Sequence, residues 1–403
     1  MSKKTGSQSN KKTKNNKRIK STPIIFTWNR FFIFLIIAGI TLGIGFGFKK
    51  PIESLLNSSK NIEAIGDISQ IDDNGLSVHF IDVGQGDAIA IRFPDGKTML
   101  VDAGKQKHYD KLHGYLTNNF FKDNSKVFDY LLLTHSDDDH CGAMENVCKD
   151  FVINTIYRPY MYCKYVKGDI NYDETNGNET NKNVCETLVY YKTIKAFNGE
   201  IDSNGHSAQI IWTDLDTVNS AYKIKSDEFG YSIDFYAPTK KYITSNAGSI
   251  ANDFSPIMVL NYNGKKIMLT GDASTTSETL AMQNAELPDI DLLKVGHHGS
   301  KSSSGQAFLE KIKPEIAVIS VNNKEYNKLP TTEAMNRILG VGATIFRTDE
   351  NGSIVANITS ELDAQLNIYA LGQGQTIYIH VEYLISGIIV LAIGLCFNKK
   401  IKF

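Results

Sequence analysis

The densest group of residues suited to chemistry lies at 131–142, where the sequence is Leu-Leu-Leu-Thr-His-Ser-Asp-Asp-Asp-His-Cys-Gly. An apolar strand that stops abruptly at ionisable residues places His135 and Asp137 on one side by two-residue alternation, and His140 follows in a turn. Imidazole nitrogens and carboxylate oxygens in a compact space suit a divalent transition metal. For this string alone, a solvated acidic turn with a helix-capping Asp is the alternative.

Two further apolar segments end in residues that can bind a metal ion. The segment before Thr270-Gly271-Asp272 ends in a carboxylate, and the segment at Lys294 leads into the pair His297-His298. A lone histidine is more often an ordinary polar residue, but coincidence is a weak explanation for three such strand ends. The sequence therefore predicts one metal site built from three strand ends.

The middle of the chain alternates β-rich runs with turns and helical patterns, which predicts a layered α/β or α+β architecture. The polar stretch 161–183 is predicted to be a surface insertion. Strands are predicted at 77–83, 88–93, 98–102, 130–134, 209–213, 232–237, 257–262, 266–270, 291–295 and 316–321. Helices are predicted at 141–148, 184–196, 275–284, 303–312 and 332–339.

The two ends of the chain differ in character from the middle. Residues 1–22 are mostly Lys, Asn, Ser and Thr, which predicts a disordered basic tail. Residues 31–48 are uncharged and apolar, which predicts a transmembrane helix, with a cleaved signal peptide as the alternative. The uncharged run 383–397 favours a second transmembrane helix, for which the alternative is a buried terminal helix.

The distribution of charge predicts how these segments sit in a membrane. Residues 1–50 contain eleven Lys or Arg and no acid, and three more lysines follow the second apolar run. By the positive-inside rule both termini are cytoplasmic, and residues 51–380 lie outside the cell membrane. Residues 51–398 keep 29 basic side chains against 44 acidic ones, a net charge of about −15, which opposes the binding of a long polyanion.

The five cysteines are too few for a disulfide scaffold and form no C-x-x-C pair. In an oxidising compartment, Cys141 could be bridged to Cys148, or Cys163 to Cys185. Free buried thiols are at least as well supported by the sequence.

Several segments together resemble the metallo-β-lactamase fold family and, within it, the extracellular hydrolase domain of ComEC-type competence proteins. The segments are 82–88 (DVGQGDA), 100–104 (LVDAG), 131–142, 270–272 (TGD) and 296–300 (GHHGS), with 318–320 and 347–349 also similar. The resemblance covers about residues 77–358. It implies a four-layer αββα sandwich with a site for two metal ions at the strand ends, which periodicity alone does not show. The transmembrane helices predicted from the apolar runs would flank this sandwich.

Carried over by position, the resemblance implies which side chains bind metal. His135 and Asp137 would bind the first ion, with Asp137 standing where the general pattern often has histidine. Asp139 and His140 would bind the second ion, and Asp272 would bridge the two. A carboxylate at 137 hardens the ligand set, which favours Mn²⁺ relative to Zn²⁺ without excluding either.

The resemblance also implies supporting roles, and it contains one departure. One of His297 and His298, with His298 favoured, would complete the second metal site. Asp102 would orient the metal-binding loop, and Asn252 would face the substrate or a metal ion. Leu329 occupies a position where relatives often have histidine, and leucine cannot bind metal, so the second site is either completed by water or substrate or is weakened.

Two divalent ions can activate water and hold both oxygens of a phosphoryl group, which predicts a phosphodiesterase. Asp139 and His140 would be the catalytic residues, and the substrate would be a small or wall-linked phosphodiester or a nucleic acid. Lys301, Ser302 and Ser303 would either help to hold an anion at a helix start or simply cap that helix. The alternative function is a non-catalytic, membrane-tethered binding or scaffold protein with the same fold.

Overall fold

The structure, a computed structural model, describes residues 68–121, 125–163, 184–185, 187–246, 251–326 and 328–372. These residues form two large mixed β-sheets, a separate two-stranded sheet of Tyr162–Cys163 and Val184–Cys185, and the helices that cover the large sheets. The strands are β1 (Leu76–Phe80), β2 (Ile89–Arg92), β3 (Thr98–Val101), β4 (Val127–Leu132), β5 (Val152–Arg158), β6 (Tyr162–Cys163), β7 (Val184–Cys185), β8 (Gln209–Trp212), β9 (Lys225–Ser226), β10 (Tyr231–Ala237), β11 (Ile257–Tyr262), β12 (Lys265–Leu269), β13 (Leu292–Lys294), β14 (Ile316–Ile319), β15 (Thr344–Arg347), β16 (Ile354–Ile358) and β17 (Leu366–Ala370). The α-helices are α1 (Tyr109–Tyr115), α2 (Asp138–Cys141), α3 (Met144–Asp150), α4 (Leu188–Asn198), α5 (Leu215–Ala221), α6 (Lys240–Asn246), α7 (Thr275–Asn284), α8 (Gln306–Ile312), α9 (Thr332–Gly340) and α10 (Thr348–Asn351).

The strand order brings the carboxyl ends of several strands into line within each sheet. The first sheet has the order β17-β16-β1-β2-β3-β4-β5-β8, and its strands from β3 to β8 are parallel. The second sheet has the order β15-β14-β13-β12-β11-β10-β9, and its strands from β12 to β15 are parallel. Parallel strands end at the same edge of a sheet, so residues that follow them can converge.

Alternating side chains along the strands divide the core into layers. On β11, Met258 and Leu260 lie in the apolar cluster between the two sheets, whereas Ile257 and Val259 pack toward helices α7 and α8. On β4, Leu132 enters the cluster between the sheets and Leu131 enters the cluster beneath α1, α3 and α4. The described residues therefore form four layers, helix, sheet, sheet and helix, as the resemblance implied.

Helix bounds follow the predictions where a local cap fixes the first turn. The predicted helix at 275–284 is confirmed as α7, where the Ser274 hydroxyl accepts a hydrogen bond from the Thr276 backbone N–H. The prediction at 332–339 is confirmed as α9 to within one residue, and the Thr331 hydroxyl caps it by accepting from the Ala334 N–H.

Three predicted helices have different bounds because tertiary contacts override the local pattern. The helix predicted at 141–148 is split into α2 and α3, with the Ala143 N–H donating to the Gly104 carbonyl at 3.0 Å. The helix predicted from 303 begins only at Gln306, because Ser304 has a left-handed backbone (φ 51°). The helix predicted from 184 begins at Leu188, since 184–185 forms β7 beside β6.

The predicted tail at 1–22 and the predicted membrane spans at 31–48 and 383–397 lie outside the described residues. Among the helices that are described, none is both long and apolar enough to cross a membrane. The Cys148 thiol is free, so it is not bridged to Cys141, whose sulfur donates to the Ser136 carbonyl.

Candidate metal centre

The predicted site residues lie at the carboxyl ends of the parallel strands in both sheets. Asp102 follows β3, and His135 lies just after β4 in the first sheet. Asp272 lies just after β12, and His297 and His298 form a short turn after β13 in the second sheet. Strand ends from two facing sheets therefore meet at one place, which no single segment of sequence reveals.

His135, His140 and Asp272 form one group whose ligand atoms all lie within 4.8 Å of one another. Nε2 of His140 is 3.2 Å from Oδ1 of Asp272, and the two imidazole rings are 4.1 Å apart between centroids. All three side chains are buried. This geometry suits one cation bound by two nitrogens and an oxygen.

Asp139, His140 and His298 form a second group, whose ligand atoms also lie within 4.8 Å of one another. Nε2 of His298 is 3.3 Å from Nε2 of His140, 3.6 Å from the Asp139 carboxylate and 3.5 Å from the Asp272 carboxylate. The two groups share His140, and Asp272 touches members of both. Nε2 of His140 can bind only one ion, so the side chain that could bridge two adjacent cations is Asp272, whose carboxylate has two oxygens.

Asp102 holds the metal-binding loop from beneath and is itself fully buried. Its carboxylate accepts hydrogen bonds from the Thr134 N–H at 2.8 Å and the Thr134 hydroxyl at 2.7 Å, and it lies 2.7 Å from Nδ1 of His140. A carboxylate at Nδ1 fixes the ring and leaves Nε2 for a metal ion. Through this contact Asp102 can orient the His140 ring.

The two consecutive histidines adopt a backbone conformation that is costly for residues with a side chain. His297 (φ 47°) and His298 (φ 52°) are both left-handed. Nδ1 of His298 is 2.8 Å from the Ser320 carbonyl, and Nδ1 of His297 is 3.1 Å from the Asn252 amide. These contacts hold the turn and aim His298 into the second group, whereas Asn252 supports His297.

Asp137 and His297 lie at the edge of the cluster rather than inside it. The Asp137 side chain is 48% exposed and its carboxylate is 3.6 Å from Nε2 of His135. The His297 side chain is 33% exposed and is 3.8 Å from the Asp272 carboxylate. Both face the open side of the site, together with Asp139, whose side chain is 24% exposed.

The buried charges in the cluster stabilise one another strongly. Burial opposes the imidazolium of His140, but Asp272 and Asp102 raise its pKa well above the ordinary value. Burial likewise opposes ionisation of Asp272, yet His298 and His140 hold its pKa well below the ordinary value. The pKa of Asp139 is also lowered, despite burial, by its hydrogen bond from His298 and by the charge of His140. The ionised carboxylates of Asp272 and Asp139 are thus stabilised by positive charge beside them. A divalent cation would supply that charge in place of the protons on His140 and His298.

One buried donor atom tests directly whether the residues fit a metal ion. Nδ1 of His135 lies 3.0 Å from the Thr134 hydroxyl and 3.2 Å from the Ser255 hydroxyl. Within the described part of the chain, Nε2 of the same ring is buried without a hydrogen-bond partner. An orphaned nitrogen is costly unless something binds it, so the donor set fits a divalent cation.

Sequence reasoning missed several supporting residues that contact the cluster. Asp87 lies within 4.8 Å of Asp102 and His140, and Lys294 forms a buried ion pair with it. Ser255 contacts both His135 and the Asp272 N–H. Asp87 lies inside segment 82–88, which carries the family resemblance, and Lys294 lies two residues before segment 296–300. Those positions were the available signal, but the roles of both residues depend on contacts between the two sheets.

Leu329 and Ser303, two positions singled out from the sequence, are both buried in the structure. Leu329 is buried in the apolar cluster between the second sheet and its helices. Ser303 is also fully buried, and its hydroxyl donates to the Ala273 carbonyl at 2.8 Å rather than facing an anion. The loop at 300–305, which follows the histidines, is therefore fixed by a hydrogen bond within the protein, and helix α8 begins after it at Gln306.

Glu278 on α7 binds the backbone of that loop, and its protonation should make the stability of the protein depend on pH. Its carboxylate accepts the Gly305 N–H at 2.9 Å, and burial raises its pKa to about 7. In the folded protein the Glu278 carboxyl group stays protonated up to about pH 7. In the unfolded chain the same group loses its proton near its ordinary pKa of 4.5. The free energy of unfolding should therefore fall, by this residue's contribution, as pH rises between those values.

The measurement is urea unfolding of the wild type and Glu278→Gln at several pH values. The difference between the two proteins should change across this pH range by up to about 3 kcal/mol, with the wild type relatively more stable at the acidic end. Parallel pH profiles for the two proteins would contradict the prediction.

Comparison with known proteins supports the same fold. A profile of the metallo-beta-lactamase superfamily matches residues 81–187. ComE operon protein 3 of Bacillus subtilis (strain 168) is 25% identical over 290 residues, which are 69% of this chain and 32% of that protein. Recombination protein 2 of Haemophilus influenzae is 23% identical over 280 residues, 70% of this chain and 28% of that protein.

The chain thus spans about a third of the length of these relatives. A solved structure, the metallo-beta-lactamase fold protein YhfI from Bacillus subtilis, is 12% identical with a TM-score of 0.38, and the match covers 68% of this chain and 96% of YhfI. From its two sheets, its clustered strand-end ligands and its sequence similarity, the chain has the metallo-β-lactamase fold and is similar to ComEC-type competence proteins.

Proposed function

We propose that this protein is a metal-dependent phosphodiesterase that is anchored in the cell membrane and acts outside the cytosol. The observation that carries the proposal is a pair of adjacent ligand groups joined by the Asp272 carboxylate, which contacts His140 on one side and His298 on the other. Two divalent ions bound there, Zn²⁺ or Mn²⁺, would activate water and polarise the phosphoryl oxygens.

The exposure of the side chains indicates where a substrate would enter. His135, His140, Asp272 and His298 are almost completely buried. Asp137, Asp139 and His297 form the accessible rim, so a phosphodiester would approach from their side. Asp139 belongs both to this rim and to the second ligand group, so its carboxylate would hold a metal ion beside the attacking water.

The charge of the chain bears on the size of the substrate. A net charge of about −15 over residues 51–398 repels long polyanions, whose binding depends on contacts from Lys and Arg to phosphate. A small or wall-linked phosphodiester fits this charge better, and a nucleic acid remains the substrate class that similarity to competence proteins suggests.

The test uses the full chain, purified in detergent and loaded with Mn²⁺ or Zn²⁺. We expect hydrolysis of bis-p-nitrophenyl phosphate, and the relative rates on glycerol-phosphate polymers and single-stranded DNA would identify the substrate class. A chromogenic cephalosporin serves as the comparison for lactam hydrolysis, which we expect to be slower. A metal-loaded protein that hydrolyses no phosphodiester would overturn the proposal.

The scaffold alternative is favoured by Leu329, which supplies an apolar side chain where relatives often have a histidine. A protein that kept the fold but lost catalysis would show this kind of replacement. Under this alternative the full chain binds metal but turns over none of the substrates above, and its binding to wall polymers or DNA would be the remaining activity.

The proposed membrane placement gives a second prediction, supported by the basic residues beyond both apolar runs. In intact cells, protease added from outside should degrade the hydrolase domain while tags at both termini stay protected. Immunoblots against the two tags and the domain provide the measurement. Loss of the tags with an intact domain would reverse the orientation.

A further inference from the structure

A buried ion pair lies directly behind His298. Nζ of Lys294 is 2.5 Å from Oδ2 of Asp87, and both side chains are at most 1% exposed. Lys294 ends β13, three residues before His297, whereas Asp87 ends the 82–87 loop of the first sheet. The pair therefore joins the two sheets immediately beneath the second ligand group.

Burial of such a pair needs an explanation beyond stability. Removing two charges from water costs so much that an apolar pair of similar volume often stabilises a fold equally well. A second buried carboxylate is also close, since Asp87, Asp102 and His140 have ligand atoms within 4.8 Å of one another. Lys294 offsets the negative charge that this proximity would otherwise concentrate.

Asp87 contacts two members of the second ligand group. Its Oδ1 is 3.5 Å from Nδ1 of His298, a nitrogen that also faces the Ser320 carbonyl. Its backbone N–H donates to the Asp139 carbonyl at 3.1 Å. The preceding Gly86 permits this approach, because a Cβ there would lie 2.3 Å from the same carbonyl oxygen.

We propose that Asp87 and Lys294 are positioning residues for the second metal ion. The Ser320 carbonyl takes the hydrogen bond of Nδ1 of His298, and the Asp87 carboxylate stands 3.5 Å behind the same nitrogen, so that it favours the ring orientation in which Nε2 faces Asp139 and Asp272. Lys294 neutralises Asp87 and so allows a carboxylate to stand behind each of the two imidazoles. This inference rests on the metal site of the proposed function and adds to it the residues that make the second position.

Two double variants test the proposal, and both avoid an unpaired buried charge. Asp87→Leu with Lys294→Met replaces the pair by apolar side chains and removes the support of His298. Asp87→Asn with Lys294→Met also removes both charges, but the amide keeps a polar oxygen of the same shape behind the His298 ring. Circular dichroism and urea unfolding first establish that each variant is folded.

The measurement is the number of Mn²⁺ or Zn²⁺ ions retained by the full chain and the affinity of each, by competition with a chelator. We expect the Leu–Met variant to keep about one ion and to bind the other about 10–100-fold more weakly. The Asn–Met variant should recover most of that loss. Wild-type metal binding in the Leu–Met variant, or equal losses in both variants, would overturn the proposal.

Failure of the positioning role can be distinguished from failure of the proposed phosphodiesterase function. If the wild type binds two ions but hydrolyses no phosphodiester, the proposed function fails and the positioning role stands or falls on the metal affinities alone. If the wild type binds no divalent metal, both fail together.

Discussion

Asp272→Asn is expected to lose most of the metal that the wild-type protein binds. The Asp272 carboxylate lies 3.2 Å from Nε2 of His140 and 3.5 Å from Nε2 of His298, so it can contribute to both positions. A neutral amide of nearly the same shape keeps the packing but removes the negative charge that attracts both cations. Metal affinity should fall by at least about 10–100-fold, the scale on which even supporting residues act.

Metal analysis after gel filtration and chelator competition would measure this effect. Asp253→Asn is a matched control, because Asp253 is also a buried carboxylate but is bonded to Ser274 and Tyr242 rather than to a histidine. The control should retain wild-type metal content. Unchanged metal content in Asp272→Asn would remove Asp272 from the site.

Asp139→Ala is expected to reduce turnover of bis-p-nitrophenyl phosphate much more than it reduces stability. The Asp139 carboxylate is 24% exposed on the rim and contacts His298, so its main interactions are with the site and not with the core. Loss of one electrostatic group at a reacting centre typically lowers kcat by about 10²–10³-fold. The free energy of unfolding should change by only about 1 kcal/mol, as is usual for a partly exposed residue.

Steady-state kinetics of the metal-loaded proteins and urea unfolding of the same samples measure the two effects. Asp138→Ala, one position away and outside the ligand groups among the described residues, is the control and should keep near wild-type turnover. If Asp139→Ala lost activity only in proportion to its loss of folded protein, Asp139 would be a structural residue.

The sequence by itself was sufficient to predict the layered α/β architecture and the strand ends that carry the site. Strands β11 and β12 alternate or are continuously apolar over the predicted segments, and α7 has its own Ser274 cap, so local chemistry settles these elements. His135, His140 and Asp272 could be singled out because ionisable residues directly after apolar strands are uncommon without a function.

Strands that depend on distant partners were not predictable in the same way. The β1 strand pairs with β16, so that Leu76 faces Ile358, and β16 pairs in turn with β17. Segment 354–358 follows an Asn-Gly turn signal at 351–352, but nothing in its sequence indicates which strands it pairs with. Its place in the sheet is decided by pairing across the length of the domain.

Only the tertiary structure decided which ligands share a metal position and what supports them. His140 lies in helix α2, which follows β4 of the first sheet, and His298 lies in a turn that follows β13 of the second sheet. Their Nε2 atoms are 3.3 Å apart because the carboxyl ends of the parallel strands in the two sheets face one another. The Asp87–Lys294 pair likewise crosses between the sheets. Residue types and spacing along the chain can predict the ligands, but distances between segments far apart in sequence are fixed by strand order and register, which depend on the packing of the whole domain.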